Sequence, residues 1–368
     1  MFTPKFKITN KILKNIGIVE ACREVIDNAP LVPYWEKKFQ EEAIQKTVHY
    51  GTHLEGNELS FQEAVKVLEG EKIVARSRDI QEVINYRKVM KYLEELVPNG
   101  KLQPRKTQKE TESTEEFIYT EKVLRKIHGL TCSRIIPKRS QGQYRHTQVV
   151  LRNSQTGEVA FRPPLAVEVP YLVKDFFIWL NHQEAREIHP VLRAGIAHYA
   201  LVAIHPFIEG NGRTARAFAS LILFLEGYDI KRFFSLEENF DKDSASYFSA
   251  LIKTSSQGSD LVKRDLTAWL EYFTQVLAIE LNRIKERVRK LSVDTKLKKR
   301  IGKQVALSER QMKLVEYLEE NRQLTTPEVR KILPMVSDDT ILRDLKDLIK
   351  KGILKKEGKT KAAQYVMP

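Results

Sequence analysis

Residues 190–225 read PVLRAGIAHYALVAI, HPFIEGNG and RTARAFASLILFL, so two apolar stretches are joined by a short polar one. In residues 190–204 the apolar side chains recur at spacings of three and four nearly all round, which predicts a central helix. Residues 217–225 are almost continuously apolar, and we expect the helix that contains them to begin at about Arg213 and to stop at Gly227. We expect the two helices to pack together as the core of the protein.

Helical periodicity extends beyond this pair. Nearly every segment upstream of about residue 292 repeats its apolar side chains with a helical period, which indicates a mainly α body. Ser60 and Glu63 have the spacing of a capping box, so we expect a helix over residues 61–69 that stops at Gly70.

The composition is that of a folded protein with a basic surplus. The 368 residues include 62 Lys and Arg against 48 Asp and Glu, a net charge of +14, and they are 42% apolar and 30% charged. This composition excludes a chain that is disordered over its whole length, and the length suggests about two to three domains. Two cysteines are too few for a disulfide framework, and the sequence shows neither an amino-terminal apolar segment nor an apolar run that could cross a bilayer. We therefore expect a cytoplasmic protein with no membrane contact.

The basic surplus is concentrated in the last quarter of the chain. Residues 283–368 hold 23 Lys and Arg against 12 Asp and Glu, so they carry most of the net charge. Basic residues and Gly302 crowd residues 292–305, where few apolar residues occur, which predicts a basic linker. We expect a separate domain over residues 306–368.

The polar stretch between the two core helices has the features of an anion site. At Gly210, Asn211 and Gly212 the missing side chains let backbone N–H groups approach a ligand and form an anion-binding nest. A helix that begins near Arg213 points its positive end at the same place. Arg216 lies one turn later on nearly the same face, so both guanidinium groups can converge on a polyphosphate.

Two further residues of this stretch suggest chemistry at the phosphate. Glu209 offers the carboxylate that Mg²⁺ takes together with phosphate oxygens and water. His205 offers a neutral base that can deprotonate an incoming hydroxyl. In the alternative interpretation the stretch is an ordinary turn with a capping histidine and surface arginines. A turn requires one glycine and no particular acid, amide or base, so the combination favours a functional site.

At these residues the chain resembles the Fic family, whose signature is His-x-Phe-x-Asp/Glu-Gly-Asn-Gly-Arg-x-x-Arg. All the fixed positions are matched between His205 and Arg216. The resemblance implies a mainly α, Fic-type helical core with the motif between two central helices. It also implies a protein adenylyltransferase, which transfers AMP from ATP to a Ser, Thr or Tyr hydroxyl of a protein. Some relatives transfer other phosphate-containing groups or reverse the reaction, and these alternatives stay open.

Carried over residue by residue, the resemblance implies that His205 is the catalytic base and that Glu209 is the Mg²⁺ ligand. It assigns the β-phosphate to Arg213 and the γ-phosphate to Arg216. The segment around Tyr247 and Phe248 resembles the family segment whose aromatic pair borders the adenine, although core packing explains those rings equally well. The ATP-binding residues implied in this way are Glu55, Gly210, Asn211, Gly212, Arg213, Thr214, Ala215, Arg216, Tyr247 and Phe248.

One segment departs from the helical pattern. Residues 148–152 and 158–161 flank a five-residue connection that contains Gly157, which predicts a β-hairpin. We assign residues 149–161 to this hairpin. It matches the flap of the family, which pairs with the target segment by β-augmentation. The alternative is a surface hairpin with no function.

The stretch GTHLEGN at residues 51–57 resembles the inhibitory motif Ser/Thr-x-x-x-Glu-Gly/Asn, which Fic proteins of the amino-terminal class carry on a helix before the core. Gly51 occupies the Ser/Thr position, and Thr52 follows one place later. An ion pair between Glu55 and Arg216 would deprive the γ-phosphate of its partner. We therefore predict autoinhibition through Glu55, Thr52 and Arg216. The alternative is an exposed acid at a helix end.

The last 60 residues look like a winged helix-turn-helix. Ser308 and Gln311 form a capping box, Thr326 caps a short helix with Pro327 in its first turn, and Ser337 caps a third helix. A hairpin follows as the wing. Lysines gather on the second half of this module, which suits either contact with DNA phosphates or an ordinary solvated face that meets proteins. The lysines in question are Lys346, Lys350, Lys351, Lys355, Lys356, Lys359 and Lys361.

These observations predict four regions. The predicted regions are an amino-terminal helical region at 1–100 with the inhibitory helix ending near Glu55, a catalytic core at 101–291, the basic linker at 292–305 and the winged-helix domain at 306–368. ATP is the expected co-substrate, Mg²⁺ the expected cofactor, and a protein, the chain itself included, the expected partner. The rival interpretation is a transcription regulator that senses ATP and binds DNA. The sequence leaves the oligomeric state open, with a homodimer among the alternatives.

Overall fold

The protein is described from a computed structural model over residues 2–29, 31, 33–97, 119–152, 157, 159–291, 307–321, 323–334, 336–358 and 364–366. The fold is mainly helical, as the sequence predicted. The α-helices described within residues 1–291 are α1 Asn10–Asp27, α2 Pro33–His53, α3 Phe61–Leu68, α4 Ser77–Leu96, α5 Glu121–Thr131, α6 Val169–Asn181, α7 Gln183–Glu187, α8 Pro190–Ile204, α9 Asn211–Leu225, α10 Leu236–Lys242, α11 Ser244–Ser255 and α12 Thr267–Leu291. No helix in these described ranges is both long and apolar enough to cross a membrane.

Two compact units divide the chain. One contains residues 1–27 and 40–284, and the other contains residues 28–39 and 285–368. In the first unit α8 and α9 pack against each other as the central pair. Every residue of α9 except Gly212 is buried, and α8 is nearly as enclosed, which explains why their sequences are apolar on all sides. Helix α9 begins at Asn211, two residues before the predicted start.

Other helices enclose this pair. Helices α4 and α5 pack on α9, and α6 packs on α8. The short helix α3 begins as predicted, because the Ser60 hydroxyl accepts a hydrogen bond from the Glu63 N–H while the Glu63 carboxylate accepts one from the Ser60 N–H. This local bonding is independent of the rest of the fold.

The predicted hairpin has two short antiparallel strands, β1 Leu151–Arg152 and β2 Val159–Phe161. Leu151 pairs with Phe161 and Arg152 with Val159, with a register shift between the two pairs. Residues 153–156 and 158 of the predicted flap lie outside the described residues. The paired strands form a two-stranded sheet, and β2 contacts α11.

The second unit contains a winged helix-turn-helix. Its elements are α13 Glu309–Asn321, β3 Gln323–Thr325, α14 Thr326–Ile332, α15 Asp338–Lys350, β4 Lys355–Glu357 and β5 Gln364–Val366. The strand order is β3-β5-β4, all antiparallel, so the predicted wing is joined by a third strand that sequence periodicity did not indicate. Leu324, Val329, Leu345 and Leu348 belong to one buried apolar cluster beneath these elements.

Local bonding sets the helix starts in this unit. Ser308 and Gln311 exchange the predicted hydrogen bonds at the start of α13. Helix α14 is capped by Thr325 rather than Thr326, because both the hydroxyl and the N–H of Thr325 bond the Glu328 carboxylate. The predicted linker at 292–305 and the lysines at 359 and 361 lie outside the described residues.

Candidate active site

The loop between α8 and α9 is a tight turn bounded by two residues in left-handed conformations. His205 ends α8 with φ 51°, and Gly210 precedes α9 with φ 72°. The Asn211 side chain closes the loop, since its Nδ2 donates to the Phe207 carbonyl at 2.8 Å and its Oδ1 accepts from the Phe207 N–H at 2.9 Å. Asn211 was expected to hold phosphate. The geometry uses its side chain to shape the loop, so its backbone N–H is what it can offer to a ligand.

His128 on α5 supports the same loop. Its Nδ1 accepts a hydrogen bond from the Gly142 N–H at 2.8 Å, so the proton lies on Nε2, which donates to the Glu209 carbonyl at 3.0 Å. The imidazole also stacks on Phe207, with ring centroids 3.8 Å apart and planes inclined by 2°. Burial lowers the pKa of His128 to about 4. The ring is therefore neutral near neutral pH and holds the backbone that carries the Glu209 side chain.

Both the backbone conformation and the space around residue 210 require a glycine at this position. Its positive φ disfavours other residues, and a Cβ atom there would lie 2.5 Å from the Cys132 sulfur. Cys132 is itself fully buried, so neither atom can withdraw easily.

We expect Gly210→Ala to lower the free energy of unfolding by about 3 kcal/mol, since backbone strain and overpacking act together. Urea denaturation of the full chain measures this. Gly70→Ala is the matched control, because Gly70 also has a positive φ but has open space around its Cβ position. A control variant as unstable as Gly210→Ala would contradict the role given to the Cys132 contact.

The amino-terminal end of α9 forms the nest predicted from the glycines. The first intrahelical hydrogen bond joins the Thr214 N–H to the Gly210 carbonyl at 3.0 Å, so the N–H groups of residues 211–213 have no acceptor within the helix. A Cβ atom on Gly212 would lie 2.0 Å from Glu55 Oε1, which shows that the Glu55 carboxylate lies directly against this glycine. An anionic group therefore already occupies the positive end of α9.

Arg213 and Arg216 are each only 2% exposed and are one turn apart. Arg213 Nη1 lies 3.2 Å from a Glu82 carboxylate oxygen without hydrogen-bond geometry, and its Nη2 lies 3.6 Å from Glu209 Oε1. Within the described chain, the Nε atoms of both arginines and the Thr214 hydroxyl have no hydrogen-bond acceptor.

Buried donors without acceptors cost about 1–3 kcal/mol each, so a cluster of them next to a helix start indicates a place for an oxygen-rich anion. A polyphosphate supplies such oxygens. The donor set therefore fits the phosphates that the sequence predicted. Ala215 lies in the same turn but is fully buried, so its methyl group packs in the core.

Glu55 pairs with Arg216 as predicted. Arg216 Nη1 donates to Glu55 Oε1 at 3.0 Å, and its Nη2 donates to the Gly51 carbonyl at 2.8 Å. Burial raises the pKa of Glu55, but the charges of Arg216 and Arg213 outweigh that effect and leave the pKa below its ordinary value. The Glu55 side chain is 30% exposed and fully charged at neutral pH.

Thr52 was predicted to take part in the inhibition with Glu55 and Arg216, but the structure places its hydroxyl elsewhere. The Thr52 hydroxyl donates to the Val48 and His49 carbonyls within α2 at 2.9 Å, so its side chain is not brought to the ion pair. Gly51 supplies its carbonyl to Arg216 instead. A Cβ atom at Gly51 would lie 2.5 Å from the Tyr86 ring, which explains why the Ser or Thr of the motif is absent at this position.

Glu209 lies at the rim of the site with its side chain 30% exposed. Arg78 on α4 donates from Nη2 to Glu209 Oε1, and its Nε lies 3.2 Å from Glu82 Oε1. Within the described part of the chain, no group of three or more His, Cys, Asp or Glu side chains could hold a metal ion by itself. One rim carboxylate fits a Mg²⁺ ion that obtains its other ligands from a nucleotide and water.

His205 is oriented as a base. Its Nδ1 lies 3.4 Å from the Val202 carbonyl, a long contact that favours the proton on Nδ1 and leaves Nε2 free to accept one. Burial lowers the pKa of His205 to about 4. The imidazole is therefore in its proton-accepting form at neutral pH.

The two aromatic residues predicted to border adenine are in different environments. Tyr247 is 2% exposed, packs against Phe240 and Trp269, and its hydroxyl lies 3.2 Å from His198 Nε2. Phe248 is 43% exposed. Of the two rings, Phe248 has a face that a base can reach, whereas Tyr247 is a core residue.

Several residues of the site were not predicted from the sequence. Arg78 and Glu82 belong to no motif, although their i, i+4 spacing on a polar helix indicates an ion pair. His128 and Arg145 gave no recognisable signal, because each acts on backbone atoms far away along the chain. These residues could be found only from the fold.

Comparison with known proteins supports the assignment of both units. Residues 118–223 match the Fic/DOC family, and residues 310–358 match the DeoR-like helix-turn-helix domain. The protein adenylyltransferase Fic of Culex quinquefasciatus is 30% identical over 218 residues, which are 58% of this chain and 39% of that protein. The one of Drosophila grimshawi is 30% identical over 194 residues, or 52% of this chain and 35% of that protein. The chain thus spans well under half the length of these curated relatives.

Solved structures share the fold. A Fic family protein from Desulfovibrio desulfuricans G20 superposes with a TM-score of 0.66 at 20% identity, covering 100% of this chain and 98% of that chain. Fic-1 (residues 134–508) from C. elegans gives a TM-score of 0.56 at 22% identity, covering 76% of this chain and 72% of that chain. The first unit has the helix pair with the Fic signature between its two helices, and the second unit has a wing after its third helix. The chain therefore contains a Fic domain followed by a DeoR-like winged helix-turn-helix domain.

Proposed function

We propose that this protein is an adenylyltransferase that transfers AMP from ATP to a Ser, Thr or Tyr hydroxyl of a protein, the chain itself included. The observation that carries the proposal is the cluster of buried donors without acceptors at the start of α9, next to an imidazole in its basic form. The name of the curated relatives, protein adenylyltransferase Fic, supports it. Two buried free cysteines support a cytoplasmic location.

The residues divide the reaction between them. His205 Nε2 takes the proton of the acceptor hydroxyl as its oxygen bonds to the α-phosphorus, and the bond to the bridging oxygen breaks to release pyrophosphate. The N–H groups of residues 211–213 face the oxygens on which charge develops. Arg213 and Arg216 bind the β- and γ-phosphates. Glu55 must first leave Arg216 and Gly212, but these donors lie on a buried helix start, so little further reorganisation opposes the transition state.

Three further features fit the proposed substrates. Glu209 would hold Mg²⁺, which neutralises phosphate charge when it is bound with the nucleotide. The hairpin of β1 and β2 offers an edge to an extended target segment. Phe248 offers an exposed ring against which adenine can stack.

Arg78 competes with Mg²⁺ for the Glu209 carboxylate, so the removal of Arg78 should favour metal binding. We expect Arg78→Gln to lower the Mg²⁺ concentration required for half-maximal nucleotide binding by up to about fivefold, since an exposed ion pair contributes about 1 kcal/mol or less. A titration with a fluorescent ATP analogue measures this. Arg76→Gln is the matched control, because Arg76 pairs with Asp79 and Glu58 instead of Glu209. A higher Mg²⁺ requirement in Arg78→Gln would show that Arg78 assists the metal.

The proposed activity is tested by exposing the full chain to ATP and Mg²⁺ and measuring its intact mass, with His205→Ala as the control. A mass increase of one AMP unit in the wild type alone supports the proposal. An increase that corresponds to a phosphate or another nucleotide identifies a different transferred group. No covalent change with either the wild type or Glu55→Gly, on the chain itself or on proteins of a cell extract, would reject it.

A second candidate function rests on the winged helix-turn-helix. Arg343, Lys346 and Lys350 are exposed on α15, the third helix of that unit, and suit contacts with DNA phosphates. In this candidate the Fic domain senses ATP for a DNA-binding regulator. Salt-dependent binding of the chain to duplex DNA, combined with no label transfer from ATP, would favour it over the enzyme.

A further inference from the structure

Arg145 connects the catalytic loop to the hairpin. Its side chain is almost fully buried, at 3% exposure of the residue. The guanidinium donates to three carbonyls from separate parts of the chain, namely Nε to His205 at 2.8 Å, Nη1 to Thr147 at 3.3 Å and Nη2 to Pro164 at 2.6 Å. The Arg145 N–H also donates to the Pro206 carbonyl at 2.9 Å. Arg145 therefore contacts the backbone of His205 and the two segments that flank the hairpin.

The contact with His205 acts on a strained residue. A φ of 51° is unfavourable for a residue with a Cβ atom and persists only where neighbouring contacts enforce it. Arg145 bonds the carbonyl of His205 and that of Pro206, so it fixes the two peptide units that follow His205. Those units determine where the imidazole points.

The other two contacts act on the hairpin. Thr147 precedes β1 and Pro164 follows β2, so Arg145 joins the two sides of the hairpin at its base. Gln148 strengthens the same joint, since its Nε2 donates to the Pro163 carbonyl at 3.1 Å and its Oε1 accepts from the Ala166 N–H at 3.2 Å. The base of the hairpin and the backbone of His205 are thus held by one planar group.

We propose that Arg145 is a positioning residue that sets the place of the hairpin relative to His205, and so aligns the hydroxyl of a docked target with the base. The inference rests on the proposed transferase function. A planar guanidinium with donors in a fixed fork can satisfy three carbonyls in different directions, whereas a lysine ammonium cannot span them. Nucleotide binding should be independent of Arg145, because none of its bonds reaches residues 210–216.

The surroundings of Arg145 allow a chemical rescue. Arg145 lines a cavity of about 420 Å³ together with Arg125, Tyr144, His146, Val167 and Pro170. Truncation of Arg145 to alanine would leave a guanidinium-sized space next to this cavity. Free guanidinium ion can enter there at concentrations far below those that unfold proteins.

The experiment compares Arg145→Ala and Arg145→Lys with the wild type. We expect transfer to a protein acceptor to fall by about 100-fold in both, because small misplacements of reacting groups have effects of this size. The loss should appear in kcat with the KM for ATP unchanged, and guanidinium should restore a large part of it in Arg145→Ala alone. Arg125→Ala is the matched control, since Arg125 lines the same cavity but packs over the Tyr144 ring.

Hydrogen exchange gives a readout that needs no activity. In Arg145→Ala, the amides of residues 205 and 207–210 and of both hairpin sides should exchange faster, and guanidinium should reverse this. The inference is overturned if transfer is retained, if guanidinium has no effect in Arg145→Ala, or if exchange rises uniformly across the domain. If neither the wild type nor Glu55→Gly transfers AMP, but exchange near His205 and at the hairpin rises together in Arg145→Ala, the proposed function is rejected and the role of Arg145 in joining the two segments is supported. Arg145→Lys keeps the charge and most of the bulk, so the test remains valid if the alanine variant does not fold.

Discussion

Replacement of Glu55 with glycine is expected to raise auto-modification by roughly tenfold or more. The change removes the partner of Arg216 and the carboxylate that lies against Gly212, so the positive end of α9 becomes accessible to phosphate. A hydrogen bond between charged groups contributes about 1.5–3 kcal/mol, and that range corresponds to a change of about ten- to a hundredfold. Incorporation of label from ATP into the chain, in the presence of Mg²⁺, measures the effect.

Glu58→Gly is the control for this prediction. Glu58 follows Glu55 by three residues, but its side chain is 73% exposed and pairs with Arg76. Its loss should leave labelling unchanged. Unchanged labelling in Glu55→Gly would reject inhibition by this ion pair. Since the pKa of Glu55 is already below its ordinary value, mild acidification should not relieve the inhibition, which would be lost only as the pH falls through that low pKa.

His205→Ala is expected to lower the transfer rate by about 10²- to 10⁴-fold, the usual contribution of a general base. Nucleotide binding should be unchanged, because the donors at the start of α9 remain. The wild-type rate should be independent of pH between about pH 5 and 8, since burial lowers the pKa of His205 to about 4 and the imidazole is neutral throughout that interval. Activity should decrease only as the pH approaches 4.

Initial rates of label transfer across this pH range test the prediction, with nucleotide affinity measured separately. His182→Ala serves as the control, because the His182 side chain is 50% exposed and the residue follows α6, outside the signature at residues 205–216. A rate that falls with a midpoint near pH 6.5 would assign the limiting proton transfer to an ordinary exposed histidine. Residual activity in His205→Ala close to that of the wild type would remove His205 from the mechanism.

The features that were correctly predicted from sequence depend on near neighbours. Helix α8 has the predicted bounds, and the helix at Ser60 and that at Ser308 begin where the capping pattern placed them. These bonds join residues three positions apart, so the sequence contains both partners. Helix α9 began earlier than predicted because Gly210 adopts a left-handed conformation that periodicity does not reveal.

The predictions that needed revision depend on distant neighbours. Thr52 has a hydroxyl in nearly the right place along the chain, but the packing of Tyr86 makes Gly51 the residue that meets Arg216. Tyr247 and Phe248 are adjacent in sequence, yet only the helix orientation decides that one is in the core and the other is exposed. No pattern within one element encodes such contacts.

The sequence alone specifies the chemical groups of the site, since residues 205–216 place an imidazole, a carboxylate, a glycine nest and two guanidinium groups on one turn and one helix start. It also determined the mainly helical fold, because apolar periodicity reports which faces must be buried. How those groups are held depends on the folded chain: Glu55 contacts Arg216 from 161 positions away, Arg78 contacts Glu209 from 131, and Arg145 contacts His205 from 60. The physical reason is that buried donors and charges must find partners wherever the folded chain supplies them, and separation along the chain places no limit on that choice.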